Sequence, residues 1–131
     1  MASELRVNTL KDASGNNSIA TSFVARGSAK SWAAVTAAGA LSDSLNVSSH
    51  DDDGTGDGGV NFTSNMDGAA TYSISMGVDD AGSSSPIYVV NLTQGTQASG
   101  AFDYESAYAN SSTDRTNNDA VRFVSIHGDL A

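Results

Sequence analysis

Large apolar residues in this chain come in short groups that alternate with polar residues, and clusters of Gly, Asn, Asp and Ser separate the groups. Leu5, Val7 and Thr9 alternate with Arg6 and Asn8, a period of two that sends successive side chains to opposite faces of a strand. The run Asp12-Ala13-Ser14-Gly15-Asn16-Asn17 then supplies turn chemistry. Apolar segments follow over residues 19–25 and 29–36, the second carrying the single Trp, Trp32. Residues 32–41 are rich enough in Ala for a helix, but Thr36, Gly39 and the lack of charged helix formers favour a strand followed by a loop.

Six more segments rich in β-branched or aromatic residues cover 44–48, 59–64, 70–76, 87–93, 98–108 and 121–127. Short strands with turn residues between them predict an all-β fold, a β-sandwich or jelly-roll-like knob of about 8–9 short antiparallel strands. The knob is expected over residues 28–131, with residues 1–27 as an extended N-terminal arm for attachment and pairing with a neighbouring subunit. Residues 51–58, 79–86 and 110–118 read as polar surface loops. Trp32, Phe62, Tyr72, Phe102, Tyr104 and Phe123 are the expected aromatic core. Tyr88 and Tyr108 border loops and, with Asp51, Asp53 and Asp57, are the candidate surface-contact residues.

Composition narrows the function. The chain has 131 residues, enough for one modest core, and its apolar groups are small, so association between copies is the expected way to bury more surface. A formal charge of −9 with six basic residues argues against nucleic acid as a partner, since Lys and Arg supply most of the free energy of phosphate binding. No stretch approaches the roughly 18 apolar residues of a membrane span, and the first residues lack a charged start followed by an apolar run, so a soluble product without membrane insertion is expected. With no Cys, disulfides, thiolate catalysis and thiolate metal sites are excluded.

Several motifs suggest chemistry and then fall short of it. Gly54-Thr55-Gly56-Asp57-Gly58-Gly59 matches G-x-G-x-x-G, but three Asp precede it and a strand pattern follows, where a dinucleotide site needs a helix. Asp51, Asp53, Thr55 and Gly56 fall at the first, third, fifth and sixth positions of a Ca²⁺ loop, yet Phe62 occupies the twelfth, which needs a bidentate Glu. His50 and His127 lack metal-ligand spacing, no G-x-S-x-G marks an activated Ser, and the only Glu residues are Glu4 and Glu105. Asn46-Val47-Ser48, Asn61-Phe62-Thr63 and Asn91-Leu92-Thr93 are formal glycosylation triplets without a secretory signal. The reading is a non-enzymatic protein with no catalytic, metal or cofactor residue.

The blocks Met1-Ala2-Ser3-Glu4-Leu5-Arg6-Val7-Asn8-Thr9-Leu10-Lys11-Asp12-Ala13-Ser14-Gly15-Asn16-Asn17, Gly27-Ser28-Ala29-Lys30-Ser31-Trp32, Asp43-Ser44-Leu45-Asn46-Val47-Ser48-Ser49, Asp53-Gly54-Thr55-Gly56-Asp57 with Asn61-Phe62-Thr63, and Ile126-His127-Gly128-Asp129-Leu130 together resemble small tail-fibre-like virion structural proteins of marine tailed bacteriophages. The chain departs from that pattern after Trp32, where Ala-rich residues 33–40 replace a longer polar or aromatic stretch. The resemblance implies a β-rich module made in the host cytoplasm and displayed on the virion surface. It also implies a homotrimer joined to other tail or capsid proteins and facing a host glycan or protein. Tail fibre is the leading expectation, capsid decoration the alternative, and a carbohydrate-binding module a further one.

Overall fold

The computed structural model describes residues 6–79, 87–93, 95–109 and 115–131. Eleven strands and one short helix occupy them: β1 (Thr9–Lys11), β2 (Ser18–Ala20), α1 (Thr21–Gly27), β3 (Ala29–Val35), β4 (Leu41–Leu45), β5 (Val47–Gly54), β6 (Asp57–Phe62), β7 (Tyr72–Asp79), β8 (Ile87–Leu92), β9 (Ala101–Ala109), β10 (Arg115–Asn117) and β11 (Val121–Gly128). The all-β expectation holds, and the strands form a sandwich-like pair of antiparallel sheets. One sheet runs β10-β9-β6-β5 with β8 on the other edge of β9, and the second runs β4-β3-β11-β7. Beyond them, β1 and β2 form a separate two-stranded hairpin.

Each sheet turns one apolar face inward. Val60, Phe62, Phe102 and Tyr104 from the first sheet meet Tyr72, Val124 and Ile126 from the second, with Met66 from the connecting segment filling between them. Phe62 stands edge-on to Tyr72, ring centroids 5.7 Å apart, an arrangement that aligns opposite parts of the ring quadrupoles. The chain changes sheets between β4 and β5 at Asn46, whose φ of 56° is one that Asn tolerates better than most residues. Its side chain secures the crossing, accepting from Ser64 N at 2.7 Å and donating to Ser64 O at 3.0 Å.

Four expectations need correction. Trp32 and Phe123 are not core residues: both lie on the outer face of the second sheet, and Phe123 is 48% exposed. On β11 the pair Val124 and Ile126 decides which face is dry, so alternation turns Phe123 outward and brings Arg122 in. The acidic stretch 51–58 is not a loop. Asp51 and Asp53 belong to β5, Asp57 opens β6, and only the tight turn at Thr55 and Gly56 separates them. Because β5 is an edge strand, its outward carboxylates also guard the edge against pairing with another chain.

The third correction concerns residues 19–25, which form a short strand and then a helix. β1 begins at Thr9, the partner of Ala20, and the pairing ends with Thr21, whose N donates to Asn8 O at 3.0 Å, after which the chain closes its own hydrogen bonds as α1. Likewise, the strand pattern over Leu5, Val7 and Thr9 yields pairing only from Thr9 onward, with Leu5 outside the described residues. Last, the loop expected over 110–118 contains β10. Residues 80–86 of the second expected loop, and residues 110–114 of the third, lie outside the described residues. The Ala-rich stretch behaves as a strand to Val35 and then a turn, closed by Gly39 N donating to Thr36 O at 3.0 Å.

Candidate functional site

Strand directions give the sandwich two unlike ends. At one end the arm enters β3, and His127, near the end of β11, donates from Nδ1 to Gly27 O at 3.1 Å. Arg26 of α1 pairs with Asp129 at 3.7 Å at the same end. At the opposite end lie the β3–β4 turn, the β5–β6 turn and the segment joining β10 to β11. No side chain between Arg6 and Ser28 is buried, so the arm stands on the sandwich without contributing to its core.

Three of the five sequence candidates converge near the second end. Asp51, Gly59 and Asp103 stand in register across β5, β6 and β9, and Asp57 pairs with Glu105 in the next row. A register shift between Asp52 and Gly54 leaves Asp53 as an extra residue, and its charge bears on Asp103 together with those of Asp57 and Asp51. Burial first, and then these three carboxylates, raise the Asp103 carboxyl above its ordinary value. Gly59 makes the crowding possible, because a Cβ there would lie 2.6 Å from Asp103 Oδ1. Asn61 Nδ2 donates to Asp51 Oδ2 at 2.7 Å, and Arg115 pairs with Glu105. Asp103 completes this acidic face and was not among the sequence candidates; the signal was its odd-numbered place in the alternation Phe102, Tyr104, Ser106.

Tyr88 and Tyr108 are brought together but on the other side of the same sheet. They are register partners on β8 and β9 with ring centroids 6.1 Å apart, and Asn118 Nδ2 donates to the Tyr88 hydroxyl at 3.3 Å. Both are partly exposed, at the end of the inner face that also carries Tyr104 and Ser106. The sandwich end thus presents carboxylates on its outer side and two phenols at its inner lip, groups suited to hydrogen-bonding and stacking against a polar surface ligand.

A buried polar network beneath this end holds it in place. Arg122, 2% exposed, donates from Nε to Ser106 Oγ at 3.0 Å and from Nη2 to Asp119 Oδ1 at 3.1 Å, and its guanidinium carbon lies 5.7 Å from the centre of the Tyr104 ring. Ser106 sits where β6 gives way to β10 along one edge of β9; its N donates to Gly56 O at 2.6 Å and its O accepts from Asn118 N at 3.1 Å. Gly56 N in turn donates to Asp119 Oδ1 at 2.7 Å. The Tyr104 hydroxyl lies 2.6 Å from His50 Nε2. Burial pushes the Tyr104 phenol up to about 12 and pushes the His50 imidazole below its ordinary value.

The remaining motifs do not assemble into reaction centres. The Gly56 N–H that a phosphate would need in the G-x-G-x-x-G string is held by Asp119. Among the described residues no three carboxylate or imidazole groups are placed to hold a metal ion. His50 and His127 belong to different sheets and face different partners. Ser125 Oγ and His127 Nε2 are 3.1 Å apart, as neighbours two apart on one strand face; the Nδ1 partner is the Gly27 carbonyl, which orients the ring without supplying the carboxylate of a catalytic triad. Of the glycosylation triplets, the Asn46 and Asn61 amides both donate to groups of the chain itself, Ser64 O and Asp51 Oδ2. Compared with known proteins, the chain matches no protein-family model, no curated protein and no solved structure.

Proposed function

We propose that this chain is a non-enzymatic structural protein of a tailed-phage virion, a tail-fibre or fibre-tip component that attaches the particle to its host surface. In this reading the arm joins the module to other virion proteins and to sister copies. The far end, with Asp51, Asp53, Asp57, Tyr88 and Tyr108, meets a host glycan or protein. The observation that carries it is polarity: the exposed arm and the carboxylate-and-tyrosine end lie at opposite poles of the sandwich, as anchoring and contact demand of one small module. The resemblance in the sequence blocks supplies the setting.

The test is to locate the chain in an electron-microscopy map of the intact particle and to compare host adsorption by particles carrying wild-type chain or the Tyr88→Ala, Tyr108→Ala pair. Density on the tail with reduced adsorption by the variant is expected. Density spread over the head shell, with adsorption unchanged, would replace the reading with capsid decoration. Absence from the particle, with calcium-dependent glycan binding by the free chain, would replace it with a carbohydrate-binding module.

A further inference from the structure

The outer face of the β4-β3-β11-β7 sheet carries an apolar patch among polar residues. Leu45, Trp32, Ala34 and Phe123 stand side by side on it, with Leu45 49% exposed, and the small residues Gly77 and Ser75 flank Phe123 with open space beside them. A second groove runs along the other side of Phe123. Two exposed carboxylates border this face: Asp43, in register with Ala34, and Asp79, in register with Val121. An exposed apolar patch with polar residues around it is the kind of surface that folded proteins use for contacts.

The arm has the complementary make-up. Phe23 is 71% exposed, and Leu10, Ile19 and Val24 are exposed as well. Within residues 1–27, Arg6, Lys11 and Arg26 stand against Glu4 and Asp12, and Arg26 is paired with Asp129 of its own chain. Residues 28–131 hold the other three basic residues, Lys30, Arg115 and Arg122, against 13 acidic ones. The arm is therefore apolar on its surface with a slight positive balance, and the body it stands on is strongly acidic.

Charge also chooses between the possible ways of covering the sheet face. Two copies packed face to face would bring Asp43 and Asp79 of one towards those of the other, with the body charges adding to the repulsion. The carboxylate face around Asp103 would attract the arm's charge but offers no apolar seat for Phe23. Among the described residues, the outer sheet face is where apolar area and bordering acids occur together. From this match we infer that the N-terminal arm of one copy docks on the outer β4-β3-β11-β7 face of a second copy, its apolar residues around Phe123 and its basic residues towards Asp43 and Asp79. Such a contact is heterologous, so it closes into a ring or continues as a stack.

The inference deepens the self-association in the proposed function and can fail without it, because the particle map tests location and cross-linking in solution tests the contact. The chain has no Cys, so single cysteines report cleanly. Full-length Phe23→Cys and Phe123→Cys chains, each checked for β structure by circular dichroism, are mixed and oxidised. A disulfide-linked dimer containing one chain of each kind is expected, at least tenfold more abundant than with Phe23→Cys and the exposed opposite-sheet Val89→Cys. It should fall severalfold when Asp43→Lys and Asp79→Lys are added to the acceptor, or when salt is raised. Leu45→Cys serves as acceptor if the Phe123 variant fails to fold. Cross-linking of Phe123→Cys to itself as efficiently as to the arm would overturn the inference in favour of face-to-face pairing. Equal yields with Val89→Cys, or a chain that stays monomeric at high concentration, would overturn it outright.

Discussion

The Tyr104 hydroxyl and His50 Nε2 are 2.6 Å apart, joining the edge strand β5 to the central strand β9 beneath the sheet that carries the acidic face. Nδ1 of the same imidazole is buried and has no hydrogen-bond partner among the described residues. A neutral His50 suits this setting, and the contact makes stability sensitive to both residues.

Tyr104→Phe removes the hydroxyl and leaves a second His50 nitrogen unpaired. The expected cost is about 1–3 kcal/mol in chemical denaturation, the range for a buried polar group deprived of its partner. A loss within experimental error would mean that water replaces the hydroxyl.

Acid should weaken the fold through His50. Burial lowers its folded pKa, and Arg122 adds to the effect, while the Gly39 backbone and the Asp52 and Asp51 carboxylates oppose it without cancelling it. Above an unfolded value of about 6.5 both states are neutral. Below it the unfolded chain takes up a proton that the folded chain resists, so stability declines as pH falls from there. Denaturation midpoints at pH 7.5 and 5.5, for wild type and His50→Gln, should show a smaller drop in the variant.

The sign is opposite for Asp103. Its folded carboxyl is raised by burial and by Asp53, Asp57 and Asp51, so the folded state holds its proton more readily and loses that advantage as pH rises through the carboxylate range. At neutral pH the ionised group works against the fold. Asp103→Asn is expected to raise the melting temperature and to reduce its dependence on salt; a lower melting temperature would show that the carboxylate makes a favourable contact instead.

Two substitutions on β11 separate its faces. Ile126→Ala should cost about 2–5 kcal/mol, as truncation of a fully buried branched side chain does, whereas Phe123→Ser, at a side chain 48% exposed, should cost clearly less when measured on dilute, unassembled chain. Equal losses under those conditions would mean that the two faces of β11 are equally buried within one copy.

Gly56→Ala tests the junction below the sandwich end. The residue has φ 72°, and a Cβ would lie 2.3 Å from Ser106 O and 2.7 Å from Asn118 N, so a loss above about 2 kcal/mol is expected. Gly15 has a similar φ of 71° but open space around it, so Gly15→Ala should cost only about 1 kcal/mol. Both are read from urea midpoints.

The sequence alone was enough to specify an all-β chain, a turn at Asp12–Asn17 (residues 12–17), most of the strand segments and aromatic core residues such as Phe62, Tyr72, Phe102 and Tyr104. Local alternation and turn chemistry carry that information within a few residues. What it left open depended on partners distant in the chain. Whether 51–58 was loop or paired strand rested on β6 and β9 lying alongside. Whether Phe123 or Arg122 faced inward rested on which face the opposite sheet covered, since both lie in one alternating run. Tertiary structure also decided that Asp103 joins Asp51, Asp53 and Asp57, and that Tyr88 meets Tyr108, because register between strands is set by the whole sheet and not by any one of them.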